Sequence, residues 1–109
     1  MRMPLPAEVS VTELAAALAD GAYLVDVREP YEYVEGHVPG AISVPMGTIP
    51  ERLDDIPRNR TVYLICAVGA RSMQVAHFLG QIGFDVRNVA DGTMGWIDAG
   101  FAVAAGSQR

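Results

Sequence analysis

Residues 61–72 have the sequence TVYLICAVGARS, and this stretch contains the only cysteine of the chain. The run 61–65 predicts a buried β-strand, because it is short, continuously apolar and rich in β-branched and aromatic residues. The small residues after Cys66 predict a tight loop, and a helix is predicted from Ala70 onwards. Cys66 is therefore expected between the end of a strand and the start of a helix.

The predicted position of Cys66 favours a reactive thiolate. Backbone N–H groups of such a loop and of a helix start can surround a sulfur anion. Gly69 is expected to adopt a backbone conformation that residues with a Cβ adopt only at a cost. Arg71 would add a positive charge, and a helix start and a cation both lower the pKa of a cysteine. The alternative is a structural cysteine, since free cysteines are among the most buried residues.

Arg71 lies at the predicted start of a helix, where a cation is unfavourable unless it has a partner. The sequence suggests Asp26 as that partner, because Asp26 also lies near the carboxyl edge of the predicted sheet. Arg28 follows two residues later. The residues alone leave two alternatives open. Arg71 could be a solvated helix-surface arginine, and Asp26 and Arg28 could be ordinary polar residues at a strand end.

The rest of the chain alternates short apolar strands with helices. Ser10 and Glu13 match a capping box, which marks the start of the first helix. An apolar stripe at Val75, Leu79 and Ile82 indicates the helix that follows the loop. Further strands are predicted at 23–27, 41–44 and 86–90, and further helices at 29–35, 49–56 and 94–99. The alternation predicts an α/β fold, a central parallel sheet with helices on both faces, which binds ligands at the carboxyl ends of its strands.

Length and composition limit the classes of protein. A chain of 109 residues, 50% of them hydrophobic, fits one domain with one core. The net charge of −5 and the lack of a basic run argue against nucleic acid and anionic membranes as partners. No apolar stretch approaches the ~20 residues of a membrane span, and residues 1–6 lack the apolar region of a signal peptide. With one cysteine there is no internal disulfide, so we expect a soluble, cytoplasmic protein of a reducing compartment.

Four motifs, in order along the chain, resemble the rhodanese-like domain. They are DVRE at 26–29, EGHVPGAISVP at 35–45, CAVGARS at 66–72 and GTMGW at 92–96. The resemblance covers nearly the whole chain, as a single domain at 1–109 with a core at about 9–101. It implies a sulfurtransferase that works without a cofactor.

The resemblance also implies roles for individual residues. Cys66 would attack the outer sulfur of a small-molecule donor such as thiosulfate, hold that sulfur as a persulfide and deliver it to a thiol, cyanide or a protein. The loop that would bind the persulfide or substrate consists of Ala67, Val68, Gly69, Ala70 and Arg71. Asp26 and Arg71 would support the loop as ionic partners, and Arg28 and Ser72 would also have supporting roles. His37 would be a structural turn residue.

The chain departs from the family pattern in two ways. Thr93 stands where the family often has a second glycine. The loop has no charge beyond Arg71, whereas members that favour anionic donors often carry additional basic loop residues. A less anionic or larger persulfide donor therefore stays open beside thiosulfate.

Two other functions also stay open. A related cysteine phosphatase has five residues between its cysteine and its arginine, but only four separate Cys66 from Arg71. A non-catalytic, regulatory rhodanese-like binding module is the second, although such modules typically lack the cysteine. One cysteine and two distant histidines argue against a zinc site.

Overall fold

A computed structural model describes residues 5–109, and its strands and helices alternate along the chain. The strands are β1 Ala7–Val9, β2 Tyr23–Asp26, β3 Ile42–Ser43, β4 Val62–Ile65 and β5 Val86–Val89. The α-helices are α1 Val11–Ala19, α2 Pro30–Glu35, α3 Ala70–Gln81 and α4 Gly92–Asp98, and a 3₁₀ helix spans Met46–Asp55. Residues 1–4, part of the stretch considered as a signal peptide, lie outside the described residues.

The five strands form one parallel sheet in the order β1-β5-β4-β2-β3. In the centre, Leu64 of β4 lies opposite Val25 of β2 on one side and Asn88 of β5 on the other. From β2 the chain crosses to β3 on one side and later to β4 on the other. The carboxyl ends of β2 and β4 thus lie where such sheets form ligand sites. The predicted parallel sheet is confirmed.

An apolar core lies on each face of the sheet. Val25 and Leu64 belong to the core that includes α3 and the 3₁₀ helix. Leu24 and Ile65 belong to the core that includes α1, α2 and α4. Successive residues of a strand point to opposite faces, which explains how these neighbours divide between the two cores. Helices on both faces were the expectation from the sequence, and they are confirmed.

Two helix starts follow directly from the sequence. The Ser10 hydroxyl accepts the Glu13 N–H at 3.0 Å, and the Glu13 carboxylate accepts the Ser10 N–H at 2.9 Å. This is the predicted capping box. Helix α2 begins at Pro30, whose fixed φ suits the first helical position. The Glu32 carboxylate accepts the Glu29 N–H at 3.0 Å, which closes the first turn of α2.

Three elements differ from the predictions. The sequence does not predict β1, a three-residue edge strand that pairs with β5. The helix predicted at 49–56 is a 3₁₀ helix that begins at Met46. It contains Pro50, which has no N–H to donate within a helix. Helix α4 begins at Gly92 rather than at Met94.

Candidate functional site

Cys66 directly follows β4, at the carboxyl edge of the sheet. Its side chain belongs to the same apolar core as Leu64 and Val75, on the face covered by α3. Only 1% of Cys66 is exposed. The residue therefore lies at the strand end, as predicted, with its thiol close to the start of α3.

Three donors surround the Cys66 sulfur. The backbone nitrogens of Gly69 and Ser72 lie 3.2 and 3.3 Å from Sγ. The Ser72 hydroxyl oxygen also lies 3.3 Å from Sγ. These N–H groups precede or open α3, where backbone donors have no partner within the helix. The expected N–H groups around the sulfur are present, and Ser72 adds a side-chain donor.

Gly69 makes the tight turn of the loop. Its φ of 98° lies in the left-handed region that favours glycine. A Cβ on Gly69 would lie 2.2 Å from the carbonyl oxygen of Ala90, directly after β5. The expectation for Gly69 is confirmed, and the close approach to β5 is a second reason why a side chain does not fit there.

Burial and hydrogen bonding act in opposite directions on the Cys66 thiol. Burial raises its pKa, whereas hydrogen bonds from the Ser72 hydroxyl and from the N–H groups of Ser72 and Gly69 lower it. The hydrogen bonds prevail, so the pKa of Cys66 is lowered from its usual value. This environment favours the nucleophilic thiolate.

Replacing Ser72 with alanine is expected to raise the pKa of Cys66, because the thiolate loses its side-chain donor. The thiolate fraction near neutral pH should fall, and alkylation by iodoacetamide should slow about three- to ten-fold. The pH dependence of the alkylation rate measures this change. Ser107→Ala, at an exposed position, is the control. An unaltered pH profile in Ser72→Ala would contradict the assignment of this donor.

Asn88 of β5 is a buried residue of the site that is not among the residues predicted from the sequence. Its Oδ1 accepts a hydrogen bond from the Ser72 hydroxyl at 2.5 Å, so the single proton of that hydroxyl is shared between Oδ1 and the Cys66 sulfur. Its amide nitrogen donates to the Glu8 carboxylate at 2.9 Å and to the Gly69 carbonyl at 3.1 Å. Both of these partners only accept, so they determine the orientation of the amide. Asn88 could have been identified from the sequence as a polar residue within a short, buried strand. A buried amide needs hydrogen-bond partners, so its presence there indicates a polar network.

Arg71 forms a two-pronged ion pair with Glu32 of α2, with N–O distances of 2.8 and 3.0 Å. The expected pairing of Arg71 with Asp26 is wrong. Asp26 is two residues from Leu24 and shares its sheet face, whereas α3, which carries Arg71, covers the opposite face. Hydrogen bonds from Arg71 are the main reason why the pKa of Glu32 is lowered to about 2. Glu32 is therefore charged at neutral pH.

Asp26 pairs with Arg28 instead, and both side chains are buried. The Arg28 Nε and Nη2 atoms donate to the Asp26 carboxylate at 3.0 and 2.8 Å. Nη2 also donates to the Gly36 carbonyl at 2.8 Å. The pair thus connects the end of β2 to the end of α2, and neither residue is an ordinary exposed residue at a strand end.

The start of α4 contacts the loop through its backbone. The N–H groups of Thr93 and Met94 donate to the carbonyls of Cys66 and Ala67 at 2.8 and 3.0 Å. A Cβ on Gly92 would lie 2.4 Å from the Ala67 carbonyl oxygen. Thr93, the departure from the family pattern, is buried, and its hydroxyl has no hydrogen-bond partner among residues 5–109. The loop carbonyls take up the free N–H groups of α4, which explains its early start.

His37 is a buried histidine near the end of α2. The buried His37 ring stacks on Tyr33 with centroids 3.6 Å apart, and its nitrogens face the carbonyls of Tyr33 and Gln108. His37 is thus a structural residue, as predicted.

Over residues 5–109, no three His, Cys, Asp or Glu side chains lie together as a metal ion would require. No helix in that part of the chain has the length and apolar character to cross a membrane.

Comparison with known proteins supports the resemblance seen in the sequence. The family model for the rhodanese-like domain matches residues 10–99. A sulfurtransferase of Allochromatium vinosum is 38% identical over 101 residues, which cover 90% of this chain and 94% of that protein. The thiosulfate sulfurtransferase GlpE of Tolumonas auensis is 31% identical over 90 residues, which cover 81% of this chain and 85% of that protein.

A solved structure agrees with these relatives. The rhodanese-like domain protein of Staphylococcus aureus is 34% identical and has a TM-score of 0.83, with 91% of this chain and 97% of that chain covered. The family model, the related sequences and this solved structure therefore agree with one another. The chain belongs to the rhodanese-like domain family.

Proposed function

We propose that the protein is a sulfurtransferase that carries sulfane sulfur as a persulfide on Cys66. The main support is the set of three hydrogen-bond donors around Sγ, from Gly69 and Ser72. These donors stabilise the attacking thiolate, and the N–H groups of residues 67–71 would face the outer sulfur, which carries the charge of the persulfide. The relatives named sulfurtransferases add support to this assignment.

The first half-reaction is a nucleophilic displacement. The Cys66 thiolate attacks the outer sulfur of the donor and forms a new S–S bond. The S–S bond of the donor breaks, and its electron pair leaves with the remaining fragment, which is sulfite when the donor is thiosulfate. The N–H groups of Gly69 and Ser72 would stabilise the negative sulfur, as an oxyanion hole stabilises oxygen.

The second half-reaction returns the enzyme to its starting state. A thiolate or cyanide attacks the outer sulfur of the Cys66 persulfide, the S–S bond breaks, and the electron pair returns to the Cys66 sulfur. The products are an acceptor persulfide or thiocyanate. Residues 67–71 would surround the persulfide, while Asp26, Arg28 and Ser72 would support the loop and its surroundings.

The same geometry offers less support for a phosphatase. Only four residues separate Cys66 from Arg71, which leaves a smaller loop than a phosphate requires. The Arg71 guanidinium, which a phosphate would need as a partner, is already engaged by Glu32.

The proposed chemistry also bears on the location of the protein. A thiolate nucleophile works where thiols stay reduced, so we place the proposed activity in the cytoplasm.

The intact mass of the reduced protein after exposure to sulfur donors tests the proposal. The donors are thiosulfate, mercaptopyruvate and a small-molecule persulfide, and Cys66→Ala is the control. We expect a gain of one sulfur atom that is absent in the variant and is removed by cyanide or a thiol. No gain from any of the donors would overturn the proposal in favour of a binding module.

A further inference from the structure

Among residues 5–109, the two arginines of the candidate site, Arg28 and Arg71, are each paired with a carboxylate. Arg71 is the cation of the loop, and both of its terminal nitrogens bond to the Glu32 carboxylate. Arg28 is buried and bonds to Asp26. Each pair joins one guanidinium to one carboxylate. A ligand that approaches Cys66 therefore meets little net positive charge from these side chains.

The Arg71–Glu32 pair is partly exposed, and Arg71 lies in the segment between Gly69 and Ser72. The Arg71 side chain is 37% exposed and that of Glu32 is 20% exposed. The pKa of Arg71 is raised first by its hydrogen bonds to Glu32, and the charge of Cys66 also contributes. Because its neighbours Gly69 and Ser72 bond to the Cys66 sulfur, Arg71 belongs to the segment that surrounds the sulfur, and its charge would act on an anion there if Glu32 did not offset it.

Exposed apolar side chains lie around the same loop. Val68 belongs to the loop, and Tyr31 directly precedes Glu32. Met94, also exposed, is held beside the loop by the hydrogen bond from its N–H to the Ala67 carbonyl. Such side chains gain free energy by covering an organic group, and Val68 and Met94 have no N–H or O–H group to donate to a sulfite group.

We propose that Glu32 determines which sulfur donors the site accepts. By pairing with Arg71, it directs the site towards neutral or singly charged organic sulfane-sulfur donors and away from dianionic thiosulfate. The inference rests on the proposed function and names the substrate class of that site. Glu32 acts through Arg71. A free Arg71 guanidinium would attract a doubly charged donor more strongly than a singly charged one, and the Glu32 carboxylate cancels that attraction.

Thiosulfate and benzenethiosulfonate are a suitable pair of donors for the test. In both, Cys66 attacks the outer sulfur, one S–S bond forms and one breaks. The electron pair leaves on sulfite or on benzenesulfinate. The donors differ in charge, two against one, and in the phenyl group. The ratio of their kcat/KM values for loading Cys66 therefore reports the preference of the site.

Glu32→Gln is the decisive variant. Glutamine keeps an acceptor for the Glu29 N–H, since it also completes a capping box, but it no longer neutralises Arg71. We expect the ratio of thiosulfate to benzenethiosulfonate loading to increase about tenfold at low ionic strength. Glu35→Gln removes the same charge from an exposed position of the same helix and should leave the ratio unchanged.

The outcomes separate this inference from the proposed function. An unchanged ratio in Glu32→Gln, with both donors still loading sulfur, overturns the inference and leaves the sulfurtransferase assignment intact. No loading of the wild type by either donor overturns the assignment itself. The double variant Glu32→Gln/Arg71→Gln should have the same ratio as Arg71→Gln alone. A tenfold higher ratio in the double variant would show that Glu32 does not act through Arg71.

Ionic strength provides a test that needs no variant. The chain has a net charge of −5, so thiosulfate should be repelled unless a free cation attracts it. Inert salt should leave the wild-type rate of thiosulfate loading unchanged or increase it, because salt screens that repulsion. A rate that falls several-fold with salt would show an unpaired cation at the site and would overturn the inference.

Discussion

Cys66→Ser is expected to abolish sulfur transfer and to leave the fold intact. A serine hydroxyl is almost the same size as the thiol, so the core around Val75 and the loop should remain packed. It is not ionised at neutral pH and cannot carry sulfane sulfur as a persulfide. We expect kcat/KM to fall by on the order of 10³-fold or more, as when the nucleophile of a covalent enzyme is removed.

Turnover with a donor that loads the wild type, together with thermal unfolding, measures this prediction. The wild type alkylated at Cys66 serves as a second control, since it blocks the same sulfur without a mutation. Both proteins should be inactive, and Cys66→Ser should keep a Tm near that of the wild type. Retained turnover in Cys66→Ser would show that another group is the nucleophile.

The centre of the site could be predicted because it depends on neighbouring residues. An apolar strand, a run of small residues and an amphipathic helix follow one another within residues 61–82. Each of these patterns determines local structure, so the position of Cys66 and the turn at Gly69 follow without knowledge of the rest of the chain. The thiol and its backbone donors come from this one segment.

The ion pairs could not be predicted with the same success, because they depend on which face of the sheet each element covers. Asp26 and Arg71 both lie near the carboxyl edge, which made the pairing reasonable. The alternation of side chains along β2 directs Asp26 to the face opposite α3. Glu32 reaches Arg71 only because α2 is placed beside the start of α3.

Two element boundaries also depend on distant partners. The three residues of β1 contain a single β-branched residue, Val9, and the strand is stabilised by pairing with β5. The first residue of α4, Gly92, precedes N–H groups that bond to the carbonyls of Cys66 and Ala67. Both boundaries depend on residues that are distant in the sequence. The pattern of neighbouring residues alone therefore does not predict them.

Asp26→Asn is expected to be the most destabilising of the charge changes considered for this protein. Asp26 is fully buried, and its carboxylate accepts three hydrogen bonds from the Arg28 side chain. Asparagine preserves the shape but leaves the Arg28 charge buried with only neutral acceptors. Removing one partner of a buried pair typically costs about 3–5 kcal/mol. The free energy of unfolding should therefore fall by roughly 3 kcal/mol, measured by urea denaturation.

Asp55→Asn provides the matched control. Asp55 pairs with Arg52 at 2.9 Å, but both side chains are more than a third exposed. Water screens such a pair, so its loss should cost less than about 1 kcal/mol. Equal effects of Asp26→Asn and Asp55→Asn would mean that the buried Arg28 charge finds compensation elsewhere, and the structural role given to the Asp26–Arg28 pair would be wrong.

A double variant separates the cost of an unpaired charge from the value of the pair itself. Asp26→Leu alone leaves Arg28 without its carboxylate, whereas Asp26→Leu with Arg28→Met removes both charges. Replacing a buried pair by apolar residues of similar volume is often neutral, because both desolvation costs disappear together. We therefore expect the double variant to be more stable than Asp26→Leu. If the double variant were the less stable protein, the Arg28 hydrogen bond to Gly36, rather than the ion pair, would be the contact that holds the end of β2 against α2.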